Sequence, residues 1–262
     1  MATPTPAPKS TKPLAAPLVI QSAARIVSPY VRLFVYGGEN TGKTLMGVTA
    51  PGPVIWLLTE EMREESLRRD IIESIYPPPS EEAILAWMAK QDPASKPEDL
   101  KKILVENRDD ILKEMTGITY EMPMLKLTHP DHLKDAVELL KSGAFKTAIV
   151  DSLSNLSKIV LDYTKLYGSK SGGPMRHGMQ AFGKTGGDIL DFVRSLLPLP
   201  MHFVFIGHGK QFQINRGTED EPLMVTVASP IFEGKKILNE LPFLISHIFS
   251  ARNTGRKTDK GK

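Results

Sequence analysis

The sequence predicts an α/β fold in which helices flank a mostly parallel central sheet, with a helical insertion midway along the chain. Short apolar runs alternate with stretches of helical periodicity, a pattern typical of βαβ units. The first apolar run leads directly into a glycine-rich turn, and three later runs end beside an acid or a histidine. Because ligands of parallel sheets bind at the carboxyl ends of the strands, these ends mark the predicted site.

Composition indicates a globular protein and excludes several kinds of site. Of the 262 residues, 41% are hydrophobic and 24% are charged, as in an ordinary packed domain. The chain contains no cysteine, which excludes disulfides and thiolate metal sites and fits a reducing cytosol. No apolar run reaches the roughly 18 residues of a membrane span, so we expect a cytoplasmic protein without membrane contact. The net charge of +3 is too small to indicate nucleic-acid binding by itself.

The chain divides into one folded domain and two tails. Residues 1–17 are rich in proline, alanine, threonine and lysine, so we expect them to be disordered. Residues 18–251 are predicted to form the domain. Within it, the charged and mostly helical stretch at about 62–124 is interpreted as an insertion or a flexible subdomain beside the core. Residues 252–262 form a basic C-terminal tail.

Each predicted element has a local signal. Apolar runs bounded by turn residues predict strands at 32–36, 54–58, 124–127, 147–151 and 202–208, with further candidates at 223–227 and 244–249. The helix after the glycine-rich turn must be short, because Pro51 and Pro53 stop it. Ser80 and the Lys96-Pro97 pair start helices in the insertion. Apolar residues at helical spacing predict later helices at about 131–141, 153–167 and 185–197.

Residues 37–44 fit the pattern G-x-x-x-x-G-K-[ST] of a phosphate-binding loop. Glycines let the backbone curl so that successive N–H groups point at phosphate oxygens. Lys43 would reach the β- and γ-phosphates of ATP, and the Thr44 hydroxyl would ligate Mg²⁺. A chance match is the alternative, but the apolar strand directly before the motif favours nucleotide binding. The predicted nucleotide contacts are Gly37, Gly38, Glu39, Asn40, Thr41, Gly42, Lys43, Thr44 and Leu45.

Asp151 closes an apolar strand and is predicted to bind Mg²⁺ opposite the phosphate loop. The alternative is an ordinary aspartate that caps the next helix, as Ser152 also could. Ser152 stands where many phosphate-loop ATPases carry a catalytic glutamate, and a hydroxyl cannot act as a carboxylate base. The base must then come from a neighbouring strand end, with Glu60 as the first choice and Glu61 as the second. Both glutamates could instead belong to a solvated charged run.

His208 ends the strand predicted at 202–208 and could sense nucleotide state by contacting the γ-phosphate or the attacking water. A lone histidine at a strand end is more often structural. Lys210 and Gln211 could act in the same loop, or Lys210 could reach into the site of a neighbouring subunit as a basic finger.

Two segments have the composition of a nucleic-acid contact. Residues 175–184 combine basic side chains with Phe182 in a glycine-rich loop, which can follow a nucleic-acid backbone while the ring stacks on a base. The alternative is a mobile connection with Phe182 packed inward. The C-terminal tail, which could bind DNA or simply be solvated, contains Arg252, Arg256, Lys257, Lys260 and Lys262.

Several segments together resemble the phage-type RecA-like AAA ATPases, which include the Sak-type single-strand-annealing recombination ATPases. The phosphate loop by itself indicates only the superfamily. Three further features narrow the resemblance to this family: the Asp151-Ser152 pair, the Gly207-His208 strand end and the Pro-x-x-x-Gly-Lys segment at 230–235. The resemblance covers about residues 30–253 apart from the insertion, and its matching segments are 34–44, 54–60, 148–154, 180–183, 199–208 and 230–236.

This resemblance implies a RecA-like P-loop NTPase core that binds ATP with Mg²⁺ and hydrolyses it. It also implies that the protein assembles as a homo-oligomer, either a ring or a filament, on single-stranded DNA. The predicted catalytic residues are Glu60, Lys43 and His208, and the predicted metal ligands are Thr44 and Asp151. We expect a function in DNA recombination, annealing or replication, with a single-strand-binding protein as a further partner. The alternative is a nucleotide-dependent assembly switch with little turnover. A small-molecule kinase is disfavoured, because no arginine-rich lid stands out in the sequence.

Overall fold

The computed structural model describes residues 29–60, 65, 67–169, 171–175, 178–216, 221 and 223–252. The tail predicted to be disordered, residues 1–17, lies outside these ranges, and so does the basic tail from residue 253 onward. Within the described ranges, no helix is both long and apolar enough to cross a membrane.

A seven-stranded sheet organises the molecule. Its strands in chain order are β1 (Arg32–Gly37), β2 (Val54–Leu58), β3 (Met124–Lys126), β4 (Thr147–Asp151), β5 (His202–Asn215), β6 (Met224–Pro230) and β7 (His247–Ala251). Six of them lie in the spatial order β3–β2–β4–β5–β1–β7, and every neighbouring pair among these is parallel. The remaining strand, β6, pairs antiparallel with the second half of β5. The predicted α/β fold with a mostly parallel sheet is therefore confirmed.

Strand β5 is longer than the sequence predicts. The predicted end at His208 is wrong, because the strand continues to Asn215 and pairs there with β6. His208 is the last β5 residue opposite β1, and Gly209 is the first opposite β6. The first half of β5 is buried and the second half mostly exposed, so the apolar pattern stops before the strand does. We call the two-stranded part of β5 and β6, residues 209–215 and 224–230, the ribbon.

Helices cover both faces of the sheet. They are α1 (Lys43–Gly47), α2 (Arg69–Ile75), α3 (Glu81–Gln91), α4 (Pro97–Glu106), α5 (Arg108–Thr116), α6 (His132–Lys141), α7 (Leu153–Tyr167), α8 (Gly178–Leu196) and α9 (Lys235–Glu240). Helix α8 begins before residue 185, so the loop predicted at 175–184 is wrong from Gly178 onward. Glycines in this stretch suggested a loop, but the helix has a buried apolar face that includes Ala181 and Ile189.

Strand β2 separates two hydrophobic clusters. Successive side chains of a strand point to opposite faces, and all five β2 residues are buried. Ile55 and Leu57 pack in a cluster with residues of α6, α7 and α8, whereas Val54, Trp56 and Leu58 belong to a second cluster. A strand buried on both faces explains why the sequence shows a continuous apolar run here instead of an alternating one.

Helices α2–α5 of the predicted insertion form the layer over the second face. Ile72, Ile84 and Leu112 of these helices are almost completely buried in one cluster with Trp56. Ser80 caps α3 by accepting a hydrogen bond from the Ala83 N–H at 3.3 Å, as its sequence context predicts. The insertion therefore packs against the second face of the sheet through the cluster that contains Trp56.

Candidate phosphate-loop ATPase site

The phosphate loop connects β1 to α1, and its backbone explains two of its glycines. Gly42 has φ +77°, in the left-handed region that glycine adopts without strain. At Gly37 the constraint is space, because an added Cβ would lie 2.3 Å from the Ala251 carbonyl oxygen of β7. The loop forms a cavity of about 320 Å³, lined by Glu39, Asn40, Thr41, Gly42, Lys43, Thr44, Leu45 and, from helix α2, Ile71.

Lys43 is buried at the centre of this loop. Its Nζ donates to the Gly37 carbonyl at 3.1 Å, to the Gly38 carbonyl at 2.6 Å and to the Thr41 hydroxyl at 3.1 Å. The loop thus holds the ammonium group with its own oxygens, at the place where the motif predicts phosphate contact. A phosphate group would replace some of these neutral acceptors with a charged oxygen, so that donor and acceptor would both be ionised.

Thr44 and Asp151 are in direct contact. The Thr44 hydroxyl donates to Asp151 Oδ2 at 2.7 Å, and both side chains are buried. A hydroxyl oxygen and a carboxylate oxygen are ligands that suit Mg²⁺, so the pair fits the predicted metal role. Over the described ranges, no group of three or more His, Cys, Asp or Glu side chains could hold a metal ion.

Glu60, Ser152 and His208 form a contact network just beyond the ends of β2 and β4, at the point in the middle of β5 where its pairing with β1 stops. Glu60 Oε1 accepts a hydrogen bond from Ser152 Oγ at 2.6 Å and lies 2.5 Å from His208 Nε2. The Glu60 side chain is 18% exposed and the His208 side chain is 28% exposed, so solvent reaches both. The structure therefore places the predicted base next to the predicted sensor. Glu61, the second choice for the base, lies outside the described residues.

Two residues that the sequence analysis missed support this network. Ser154 Oγ accepts a hydrogen bond from the His208 N–H at 2.9 Å and donates to the Ile231 carbonyl at 2.7 Å. The Asn155 side-chain amide donates to the Thr59 carbonyl at 2.5 Å. The available signal was the group of polar residues Ser152, Ser154 and Asn155 soon after Asp151, because the first turn of a helix that follows a strand lies at the carboxyl edge of the sheet.

Other predicted residues lie apart from the phosphate loop. Lys210 stands on the ribbon and lines a groove of about 450 Å³ with Phe212 and Leu238, and Gln211 is exposed beside it. Phe182 is not packed inward, since it is 36% exposed on α8 with its ring centroid 5.7 Å from Lys165 Nζ. Within the basic tail, the structure describes Arg252 alone.

Among the comparisons with known proteins, a family model agrees with this assignment. No curated protein matches the chain. Among solved structures, a KaiC-like protein from the hyperthermophilic archaeon Pyrococcus horikoshii is 13% identical, with a TM-score of 0.33 over 76% of this chain and 78% of that one. A family model described as an AAA domain matches residues 30–257. Because this match spans most of the sequence and includes the phosphate loop, the chain belongs to this AAA domain family of P-loop ATPases.

Proposed function

We propose that the protein is a Mg²⁺-dependent, ATP-hydrolysing member of the phage RecA-like, Sak-type group that acts on single-stranded DNA in recombination, annealing or replication. The observation that supports hydrolysis is the position of the Glu60 carboxylate at the sheet edge that also holds Lys43 and Asp151. The DNA role and the phage origin are supported by the sequence resemblance. We further propose a homo-oligomeric ring or filament in the cytoplasm, with a single-strand-binding protein as an additional partner.

The proposed mechanism assigns one task to each side chain. The loop backbone and Lys43 bind the β- and γ-phosphates. Mg²⁺, held by Thr44 and Asp151, would offset charge on the phosphates. Glu60 orients the attacking water and accepts its proton. Ser152 and His208 position the Glu60 carboxylate, because both contact its Oε1 atom.

ATP binding and turnover test these assignments separately. Lys43→Ala should abolish ATP binding while the fold is retained, because the ammonium group is lost from the loop. Glu60→Gln should bind ATP normally and turn it over about 100-fold more slowly, since an amide cannot accept the proton. Calorimetric titration and a steady-state phosphate-release assay measure the two effects. Unchanged binding by Lys43→Ala, or unchanged turnover by Glu60→Gln, would contradict the corresponding role.

A nucleotide-dependent switch with little turnover is the second candidate. It is favoured by the same contacts, because Ser152 and His208 already engage the Glu60 oxygen that would otherwise hold a water molecule. Tight ATP binding by the wild-type protein, with negligible hydrolysis at saturating Mg²⁺ and single-stranded DNA, would favour the switch over the ATPase.

The DNA and assembly proposals have their own tests. Turnover should rise when single-stranded DNA is added, and electron microscopy with a non-hydrolysable ATP analogue should show rings or filaments. Absence of both stimulation and DNA binding at low salt, where phosphate contacts are strongest, would exclude the recombination role. The ATPase assignment would survive that result, because it rests on different residues.

A further inference from the structure

The cavity at the phosphate loop has one wall that the nucleotide-binding motif does not supply. Seven of its lining residues are consecutive in the loop and the start of α1, and the eighth is Ile71 of helix α2 in the insertion. The Ile71 side chain is 39% exposed, whereas its neighbour Ile72 is completely buried. An exposed branched alkyl group therefore faces the space in which the loop would hold a nucleotide.

Ile71 is chemically unsuited to phosphate. Phosphate oxygens are charged and need hydrogen-bond donors, which the loop backbone and Lys43 supply. An alkyl group instead gains free energy by covering apolar surface. In a nucleoside triphosphate, that surface belongs to the faces of the base and to the ribose carbons. The phosphate-loop motif therefore suits the phosphates of the nucleotide, and the apolar side chain of Ile71 suits its base and ribose.

We propose that Ile71 packs against the nucleoside part of ATP and makes the site prefer a nucleoside triphosphate over a bare triphosphate. This inference rests on the nucleotide-binding function proposed above and adds to it the residue that recognises the nucleoside. It also gives the insertion a direct part in the nucleotide site, in addition to its packing on the sheet. The cavity volume of about 320 Å³ lies within the range of small-molecule sites.

Three contacts hold helix α2 in place, and the helix in turn fixes the position of Ile71. Ile72 anchors the helix in the second hydrophobic cluster. Arg69 forms an ion pair with Asp109 of α5 at 3.0 Å, and the Tyr120 hydroxyl donates to the carbonyl of Tyr76 at the helix end at 3.0 Å. Ordering a side chain or segment on binding costs free energy, so a wall already fixed by folding favours affinity.

Binding of two probes to matched variants tests the proposal. The probes are ATP and inorganic tripolyphosphate, each titrated calorimetrically in the presence of magnesium. Ile71→Ser should weaken ATP binding roughly tenfold, the order expected when one apolar contact is lost, and leave tripolyphosphate binding unchanged. Ile71→Ala should fall between the wild type and Ile71→Ser. The control is Ile75→Ser, because Ile75 is 46% exposed on the same helix and does not line the cavity.

Three results would overturn the proposal. Equal weakening of both probes by Ile71→Ser would show that the residue acts on the shape of the loop. Unchanged ATP binding by both Ile71 variants would show that it makes no contact. A wild-type protein that binds neither probe would refute the nucleotide-binding function itself, and with it the role of Ile71. If the wild type binds both probes, a failure of the Ile71 role can be told apart from a failure of the nucleotide-binding function.

Discussion

Ser152 makes two hydrogen bonds that separate measurements can distinguish. Its Oγ donates to Glu60 and also accepts from the Asn155 N–H at 3.1 Å, which caps helix α7. Ser152→Ala should therefore lower the free energy of unfolding by about 1 kcal/mol through the lost cap. It should also lower kcat several-fold with little change in KM, because Glu60 loses a positioning partner. Urea denaturation and steady-state ATPase kinetics measure the two effects.

Ser80→Ala is the matched control for this variant. Ser80 caps α3 in the insertion through the same kind of side-chain contact. Its loss should cost a similar amount of stability and leave kcat unchanged. An equal fall in kcat for both variants would show that the effect of Ser152→Ala comes from lost stability and not from Glu60.

Lys113 should make stability depend on pH in the alkaline range. Burial lowers the pKa of the Lys113 ammonium below its ordinary value of 10.5, although its Nζ donates to the Ala50 carbonyl at 2.7 Å and to the Gly117 carbonyl at 2.9 Å. Between the lowered pKa and 10.5, the unfolded chain holds this proton more strongly than the folded protein does. The Lys113 contribution to the free energy of unfolding therefore rises with pH in this window.

Lys113→Met removes this contribution. The free energy of unfolding of the wild type minus that of the variant should increase as pH approaches 10.5. Urea titrations of both proteins at a series of pH values give this difference directly. A difference that stays constant or falls would contradict the direction assigned to the pKa.

Residues of the site could be predicted where the signal is local. The phosphate loop and the aspartate at a strand end are short patterns, and the structure brings Thr44 and Asp151 together as those patterns imply. The side chains that contact Glu60 could not be predicted in the same way. Its contacts to Ser152 and His208 span 92 and 148 positions of sequence, and they depend on how the strands are ordered in the sheet.

Among the elements, β1 and β7 leave no room for a side chain at Gly37. Gly37→Ala would place a Cβ 2.3 Å from the Ala251 carbonyl oxygen, and the β7 backbone would have to shift. We expect a loss of about 1–3 kcal/mol in the free energy of unfolding, the usual cost of overpacking. Urea denaturation measures it. Gly38→Ala is the control, since no atom lies within 4 Å of a Cβ at that position. Equal effects from the two substitutions would contradict the steric explanation.

Elements were predictable from sequence where burial makes a pattern. The buried strands β2 and β4 lie at 54–58 and 147–151, as their apolar runs predict. The second half of β5 escaped prediction because exposed residues leave no such run. The start of α8 escaped because its glycines are poor helix formers that tertiary packing overrides.

On the scale of the whole molecule, the two hydrophobic clusters share one sheet and should unfold together. Leu112 is completely buried in the insertion. Leu112→Ala should lower the stability of the entire domain by about 2–5 kcal/mol. The measurement uses a Trp87→Phe background, in which Trp56 is the sole tryptophan and reports on the sheet, while circular dichroism reports on the helices. Both signals should shift to the same lower urea midpoint. An earlier, separate loss of helical signal would show that the insertion unfolds independently.

The continuity of β5 has a mechanical consequence. The strand passes from the sheet into the ribbon at His208, with no loop between the two parts. The seven residues beyond this point extend it by roughly 24 Å at the usual rise of a strand. Ser154 hydrogen-bonds to the two residues that flank the ribbon at its base, through the His208 N–H and the Ile231 carbonyl. A rotation of the ribbon about this base would therefore move Asn215 and Met224, at its far end, much farther than it moves His208 beside Glu60.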